Sequence, residues 1–309
     1  MSLYLGLDGG GTKTEAALIN SQGRLVGQAL AGPSNPLRAG FARSLAAVAA
    51  AASRAIAAAG CDVKQVRGVS AGLAGAGRAA VAKKVSAFLC HRFPNARTEV
   101  TTDVVIALDS IAPTGPAMVL IAGTGSAAFG RNGEGATVRV GGWGPWFSDE
   151  GSAFDIGRRA LAALARNHDA ARPPSALDRA IAKRLNARNW TQMVEEATTK
   201  PLERLPEIFP AVVEAAEAGD STAQAILAEA ADRLAALAET AILRLGLAHS
   251  EFALGRVGGI FGRTRFLDER LAKRLGALAR RARIVLPRFS PAVAAAHRAR
   301  SAAGKSAPD

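Results

Sequence analysis

The stretch "LYLGLDGGGTKTEAALINSQG", residues 3–23, decides the fold. Three glycines followed by Thr12 and Lys13 are the usual company of a phosphate. Glycine lets the backbone approach an anion closely and turn its N–H groups toward it. Leu3–Leu7 reads as a short apolar strand, and Thr14–Ile19 as a second apolar-rich run without a helix cap. Ser21-Gln22-Gly23 is a turn, after which Leu25–Ala29 continues as a third strand. A Walker loop needs Gly-Lys-Ser/Thr and a following helix, but here Thr12 separates Gly11 from Lys13 and a strand follows. The dinucleotide fingerprint needs G-x-G-x-x-G before a helix, a spacing that Gly9-Gly10-Gly11 does not meet. Asp8 stands beside the loop, where a carboxylate repels phosphate unless a cation lies between them. That makes Asp8 a candidate Mg²⁺ partner, and otherwise a turn-capping residue.

Working outward, Ser34-Asn35-Pro36 opens a long alanine-rich helix that Gly60 ends. Val66–Ser70 is a strand running into a glycine-punctuated loop, residues 71–77, and the pattern of Arg78–Arg92 is helical. Glu99–Thr102 is a strand that ends at Asp103, with a helix through Ile111. Pro113–Pro116 breaks the chain, and the opening order of events then recurs. Ala117–Ala122 is a strand, Gly123-Thr124-Gly125-Ser126 a loop, Ala127–Arg131 a second strand, Asn132-Gly133 a turn and Val138–Gly141 a third strand. The remainder is mainly helical, with strands at Phe252–Val257 and Arg283–Leu286. Two α/β halves, each with a glycine–threonine loop, divide the chain into residues 1–112 and 113–309.

Asp103 sits between a strand and a helix, a place where Asp serves as an N-cap. The same carboxylate facing outward can take the proton from a hydroxyl that attacks a γ-phosphate. Residues 141–152 hold Gly141-Gly142-Trp143-Gly144, Trp146, Asp149 and Glu150. Carboxylates that accept paired hydroxyls beside an aromatic ring suit a polyol, and acids in a helix's first turn explain the same residues without one.

The totals narrow the class. Hydrophobic residues make up 49%, so the chain is globular rather than disordered. The start, Met1 into Leu3–Asp8, has no basic n-region or cleavage site, and Arg43 and Arg54 interrupt the most apolar region, Phe41–Gly60. A cytoplasmic protein is expected. Cys61 and Cys90 form no CxxC, and the four histidines have no metal-ligand spacing. The last 54 residues carry 13 Lys+Arg against 3 Asp+Glu, a net +10 of the chain's +13. With few aromatics to stack on bases, a solvated basic face is expected there, with neither nucleic acid nor membrane as partner.

Together, "GLDGGGTKTEAAL", "AGLAGAG", "TTD", "IAGTGS", "VGGWG", "SDEGS" and "GRVGGI" resemble the sugar-kinase branch of the actin/Hsp70/hexokinase superfamily. More narrowly, the chain resembles the N-acetylglucosamine kinase and bacterial glucosamine kinase group of the BadF/BadG-type ATPases. The resemblance implies two ribonuclease-H-like domains with ATP and Mg²⁺ in an interdomain cleft, the first phosphate loop being the turn of a β-hairpin. It implies ATP contacts at Gly10, Gly11, Thr12, Lys13, Gly123, Thr124 and Gly125, adenosine-side contacts at Gly258 and Gly259, and a weaker adenine-side match at Ala215. It implies Asp8 toward the metal, Asp103 as catalytic base, and sugar contacts at Asn35, Gly72, Asp103, Ser126, Trp143 and Asp149. An amino-sugar kinase, working as a homodimer, is the expectation. Two rivals use the same fold. One is an activator of a 2-hydroxyacyl-CoA dehydratase, which needs a cysteine pair beside its nucleotide loops. The other is a non-enzymatic sugar sensor.

Overall fold

The computed structural model describes residues 2–304, apart from the side chains of residues 37 and 38. In chain order the elements begin with β1 Leu3–Gly9, β2 Thr14–Asn20, β3 Leu25–Ala31, α1 Pro36–Ala39, α2 Phe41–Ala58, β4 Val66–Leu73, α3 Ala79–Arg92, β5 Arg97–Thr101 and α4 Asp103–Ile111. There follow β6 Ala117–Ala122, β7 Ser126–Arg131, β8 Thr137–Gly141, α5 Ala153–Asp169, α6 Ala176–Leu185, α7 Trp190–Thr199, α8 Pro201–Glu207, α9 Phe209–Glu217 and α10 Ser221–Arg244. The chain closes with β9 Phe252–Val257, α11 Arg265–Leu278, β10 Ala282–Val285 and α12 Pro291–Ala303.

The two five-stranded sheets share one topology. The first runs β3-β2-β1-β4-β5 and the second β8-β7-β6-β9-β10. In each, the first three strands form an antiparallel meander and the last two lie parallel to the first. Both glycine–threonine loops are hairpin turns. Gly9 pairs with Thr14 across residues 10–13, and Ala122 pairs with Ser126 across residues 123–125. The recurrence legible in the sequence is thus a recurrence of sheet order.

The chain folds into two compact units, Met1–Thr114 with Leu286–Asp309, and Gly115–Val285. The first crossing falls close to the expected 112/113 division. The C-terminal end differs from the expectation, because α12 returns to the first unit. Its cause is local. Ala292, Ala295, Ala296 and Ala299 are buried small residues on one helix, and the strands beneath offer glycines. A Cβ on Gly6 would collide with the backbone of Ala292 and Ala296, and one on Gly68 would stand 2.8 Å from the Ala299 carbonyl oxygen. Helix backbone therefore rests directly on sheet backbone. Ser290 caps the helix by accepting from the Val293 N–H at 3.3 Å, and Pro291 takes the first helical position.

α2 covers the other face of this sheet with Val48, Ala51, Ala52, Ala55 and Ile56. By length and composition it is apolar enough to cross a membrane despite Arg43 and Arg54. Here one face of it packs on the sheet, brought so close to β3 that a Cβ on Gly27 would strike the Ala55 carbonyl. The expected helix from Pro36 to Gly60 is broken at Gly40, whose φ of 79° no helix accommodates. Gly60, at φ 61°, ends α2 as its sequence position indicates. In the second unit α10 runs over β7 and β8. It starts at Asp220, whose carboxylate accepts from the Thr222 and Ala223 N–H groups at 3.0 Å each.

Part of the C-terminal basic surplus is spoken for within the units. Arg256 pairs with Asp268, Arg270 with Asp232, and Arg298 with Glu99 and Asp109.

Candidate active site

In the first unit, strand register gathers the candidate residues. Asp8 on β1 lies opposite Gly72 on β4, and Gly72 opposite Thr101 on β5. Asp103 follows as the first residue of α4, so both carboxylates stand at the same end of the three parallel strands. Burial, reinforced by the charges of Asp103 and Glu15 and only partly offset by Lys13, pushes the Asp8 carboxyl up to about 7. Lys13 is itself engaged by Glu15 at 3.7 Å. This concentration of negative charge calls for a cation. Among the described residues there is no group of three or more His, Cys, Asp or Glu that would cage a metal alone. A single carboxylate plus phosphate oxygens and water is how Mg²⁺ sits in phosphoryl-transfer sites, so the residues present fit that ion.

Thr102, not Asp103, occupies the N-cap position of α4, and its side chain makes no capping bond to a described residue. The Asp103 Oδ1 accepts from the Val104 N–H at 3.1 Å, which anchors one oxygen at the helix start. Gly72 has a packing role. A Cβ there would collide with the side chain of Ile106, one turn into α4, so glycine lets the helix carrying Asp103 settle against β4. Asn35 is tied to the first phosphate loop. The N–H groups of Ser34 and Asn35 both donate to the Gly10 carbonyl at 3.1 Å. The turn is closed by the Gly10 N–H donating to the Lys13 carbonyl at 3.0 Å. The fully buried Ser34 Oγ finds no hydrogen-bond partner among the described residues and fills the space a Cβ on Gly9 would take.

In the second unit, the loop at residues 123–126 is stitched to residues 149–153. The Ser126 N–H donates to Asp149 Oδ1 at 3.2 Å, and its hydroxyl donates to the Glu150 carbonyl at 2.7 Å. The Ala153 N–H, in the first turn of α5, donates to the Gly123 carbonyl at 2.9 Å. Asp149 is buried and takes φ 68°, uncommon outside glycine. A Cβ at 125 would stand 2.8 Å from the Asp149 carboxylate, so a larger residue there must displace that side chain. Ser126 therefore braces Asp149. Burial pushes Asp155 up, yet the Gly151 N–H, Arg159 and Arg158 together hold its carboxyl below the usual range.

Trp143 is 69% exposed. Arg139, which sequence reading passed over, anchors its loop. The guanidinium lies 5.3 Å from the Trp143 ring centre, and its Nε donates to the Gly141 carbonyl at 3.2 Å. Gly258, at φ 128°, packs directly on Ala122 at the end of β6. Gly10, Gly123 and Gly259 differ from these. Among the described residues, chain neighbours aside, Gly123 and Gly259 have no atom within 4 Å of a notional Cβ, and Gly10 has only the Lys13 carbonyl oxygen at 3.8 Å. Glycines in open space beside hairpin turns fit the demand of a bound nucleotide for bare backbone. Ala215 is buried in α9 and borders a hollow of about 270 Å³ lined also by Arg179, Lys183 and Glu214.

Comparison with known proteins places this geometry. The sequence pattern described as the BadF/BadG/BcrA/BcrD ATPase family matches residues 5–299. An N-acetyl-D-glucosamine kinase of Dictyostelium discoideum is 28% identical over 287 residues, covering 88% of this chain and 90% of its own. A glucosamine kinase of Vibrio cholerae is 32% identical over 177 residues, 57% of this chain and 59% of its own. A crystal structure from Chromobacterium violaceum, provisionally named an N-acetylglucosamine kinase, superposes with a TM-score of 0.79 at 26% identity, covering 96% of this chain and 98% of that one.

Proposed function

Since the chain belongs to the BadF/BadG/BcrA/BcrD ATPase family, we propose that it is an ATP-dependent kinase that phosphorylates the 6-hydroxyl of glucosamine or N-acetylglucosamine. The observation that carries this reading is the meeting of Asp8, the Asn35-bearing loop and Asp103 at one end of β1, β4 and β5. The kinase names of relatives that match most of the chain support it. ATP, with Mg²⁺, supplies the transferable phosphoryl group and neutralises the charge on its oxygens. Gly10, Gly11, Thr12 and Lys13 and, in the second unit, Gly123, Thr124 and Gly125 bind its phosphates through N–H groups and hydroxyls. Gly258, Gly259 and Ala215 serve the adenosine side. Asp8 faces the metal.

Asn35, Trp143 and Asp149 orient the sugar, Trp143 against its apolar ring face. Gly72 and Ser126 belong to the same proposed sugar site, beside Ile106 and Asp149 respectively. Asp103 accepts the proton of the attacking hydroxyl. Its Oδ1 is held by the Val104 N–H, which fixes the carboxylate's direction. We further propose that the protein works in the cytoplasm as a homodimer.

The test is ADP release measured over glucosamine, N-acetylglucosamine, glucose and mannose, with wild type and Asp103→Asn. An amino sugar should be the best acceptor. The variant should lose about 10²–10⁴-fold in kcat while binding ATP and sugar normally. Turnover with none of these sugars would overturn the reading.

A further inference from the structure

Arg298 reaches from the far end of the chain to both sides of Asp103. Its Nη2 and Nε donate to Oε1 and Oε2 of Glu99 at 2.6 and 2.9 Å, and its Nη1 donates to Asp109 Oδ2 at 3.0 Å. Glu99 lies on β5, the strand that leads into Asp103, and Asp109 on α4, the helix that leads away from it. The Asp109 side chain is only 8% exposed, and those of Arg298 and Glu99 about a third. A paired guanidinium fork has a fixed direction that a lysine ammonium lacks.

The attachment of α12 to the sheet does not depend on this triad. The close packing on Gly6 and Gly68 holds the helix, and the Arg97 guanidinium donates to the Ala302 carbonyl at 3.0 Å near its end. What the triad adds is a brace between β5 and α4. Without the guanidinium, the two carboxylates it draws together no longer share a cation, and this link between the two elements that flank Asp103 is lost. We propose that Arg298 is a positioning residue that sets the Asp103 carboxylate by clamping the strand before it to the helix after it. This rests on the reading of Asp103 as the base of an amino-sugar kinase.

The experiment compares Arg298→Met and Arg298→Lys with wild type, alone and in an Asp103→Asn background. With its best amino-sugar acceptor, Arg298→Met should lower kcat about 10–100-fold, the scale on which a small misplacement of a catalytic group acts. The KM values for sugar and ATP should stay within about twofold, and Arg298→Lys should fall between. In the Asp103→Asn background, Arg298→Met should cost less than about twofold more, because the residue through which it acts is already disabled. Amide exchange across residues 97–111 should quicken in Arg298→Met, with β1 and β2 unchanged.

A kcat within twofold of wild type, or the same loss in both backgrounds, would overturn the proposal. If Arg298→Met does not fold, Glu99→Gln and Asp109→Asn each remove one arm and should show smaller losses in the same direction. If wild type phosphorylates no hexosamine, the kinase reading fails by itself. The exchange rates then still decide whether Arg298 clamps the segment.

Discussion

Asp8 shows most plainly what a single residue contributes. Its carboxyl is pushed up to about 7 by burial first and by Asp103 and Glu15 next. The folded chain without ligand therefore favours protonated Asp8, while the unfolded chain ionises it near the ordinary carboxylate value. The stability linked to this group is complete below that ordinary value and disappears as pH rises through about 7. Melting temperature of the ligand-free protein should accordingly fall between pH 4 and pH 8 more steeply in wild type than in Asp8→Asn. A wild-type curve parallel to that of the variant would remove the argument. Gly259 allows a second test at this scale. No described residue beyond its chain neighbours crowds its notional Cβ, so Gly259→Ala should melt within about 1 °C of wild type, a surface change of under about 0.5 kcal/mol. Its KM for ATP should nevertheless rise several-fold, as steady-state kinetics would show.

At the scale of elements, the bare contacts between helix and sheet decide what can change. Gly6 lies directly under the backbone of α12. Backbone cannot swing aside as a side chain does, so Gly6→Ala should destabilise by about 3 kcal/mol or more, at or above the ordinary range for overpacking. Urea unfolding of the two proteins would measure it. Gly72→Ala meets a side chain instead, that of Ile106. Its stability loss should be smaller, about 1–2 kcal/mol, but its kcat loss larger than that of Gly6→Ala, because Ile106 belongs to the helix that begins with Asp103. Equal kcat for the two variants would contradict this assignment.

Much of this level was legible in the chain. The hairpin loops, the strand leading into Asp103 and the recurrence after Pro113 are marked by short-range signals: glycine clusters, polar turns and apolar runs. Other features depend on contacts distant in sequence, which no local pattern announces. Nothing near Ser290 says that α12 belongs with β1 and β4. The reason lies in Gly6 and Gly68, which as single glycines in strands look like weaknesses until the alanines that cover them are known. Arg139 and Arg298 were hidden in the same way, since in sequence each is one basic residue among the chain's 39 Lys+Arg. That Ser126, read as a sugar contact, also ties its N–H to Asp149 and its hydroxyl to the Glu150 carbonyl is seen only in the fold.

For the whole molecule, the division into units predicts how pieces behave. Residues 115–285 form a continuous stretch with its own sheet, helices and apolar core. Expressed alone, this segment should unfold cooperatively on heating, with a calorimetric enthalpy near its van't Hoff value. Residues 1–114 alone should lack a sharp transition, and a synthetic peptide of residues 286–304 added in trans should restore one. A cooperative 1–114 fragment that ignores the peptide would show that α12 is dispensable.

The discontinuous first unit also has a consequence for biosynthesis. As the polypeptide leaves the ribosome, the strand carrying Asp8 emerges ahead of all of residues 115–285, and the helix that covers Gly6 and Gly68 only after them. While residues 115–285 are being translated, the nascent chain must carry an uncovered, glycine-floored sheet face. The later half can already be folded while the earlier half waits. A premature stop anywhere before residue 290 would leave that face permanently uncovered and offer it to chaperones or proteases.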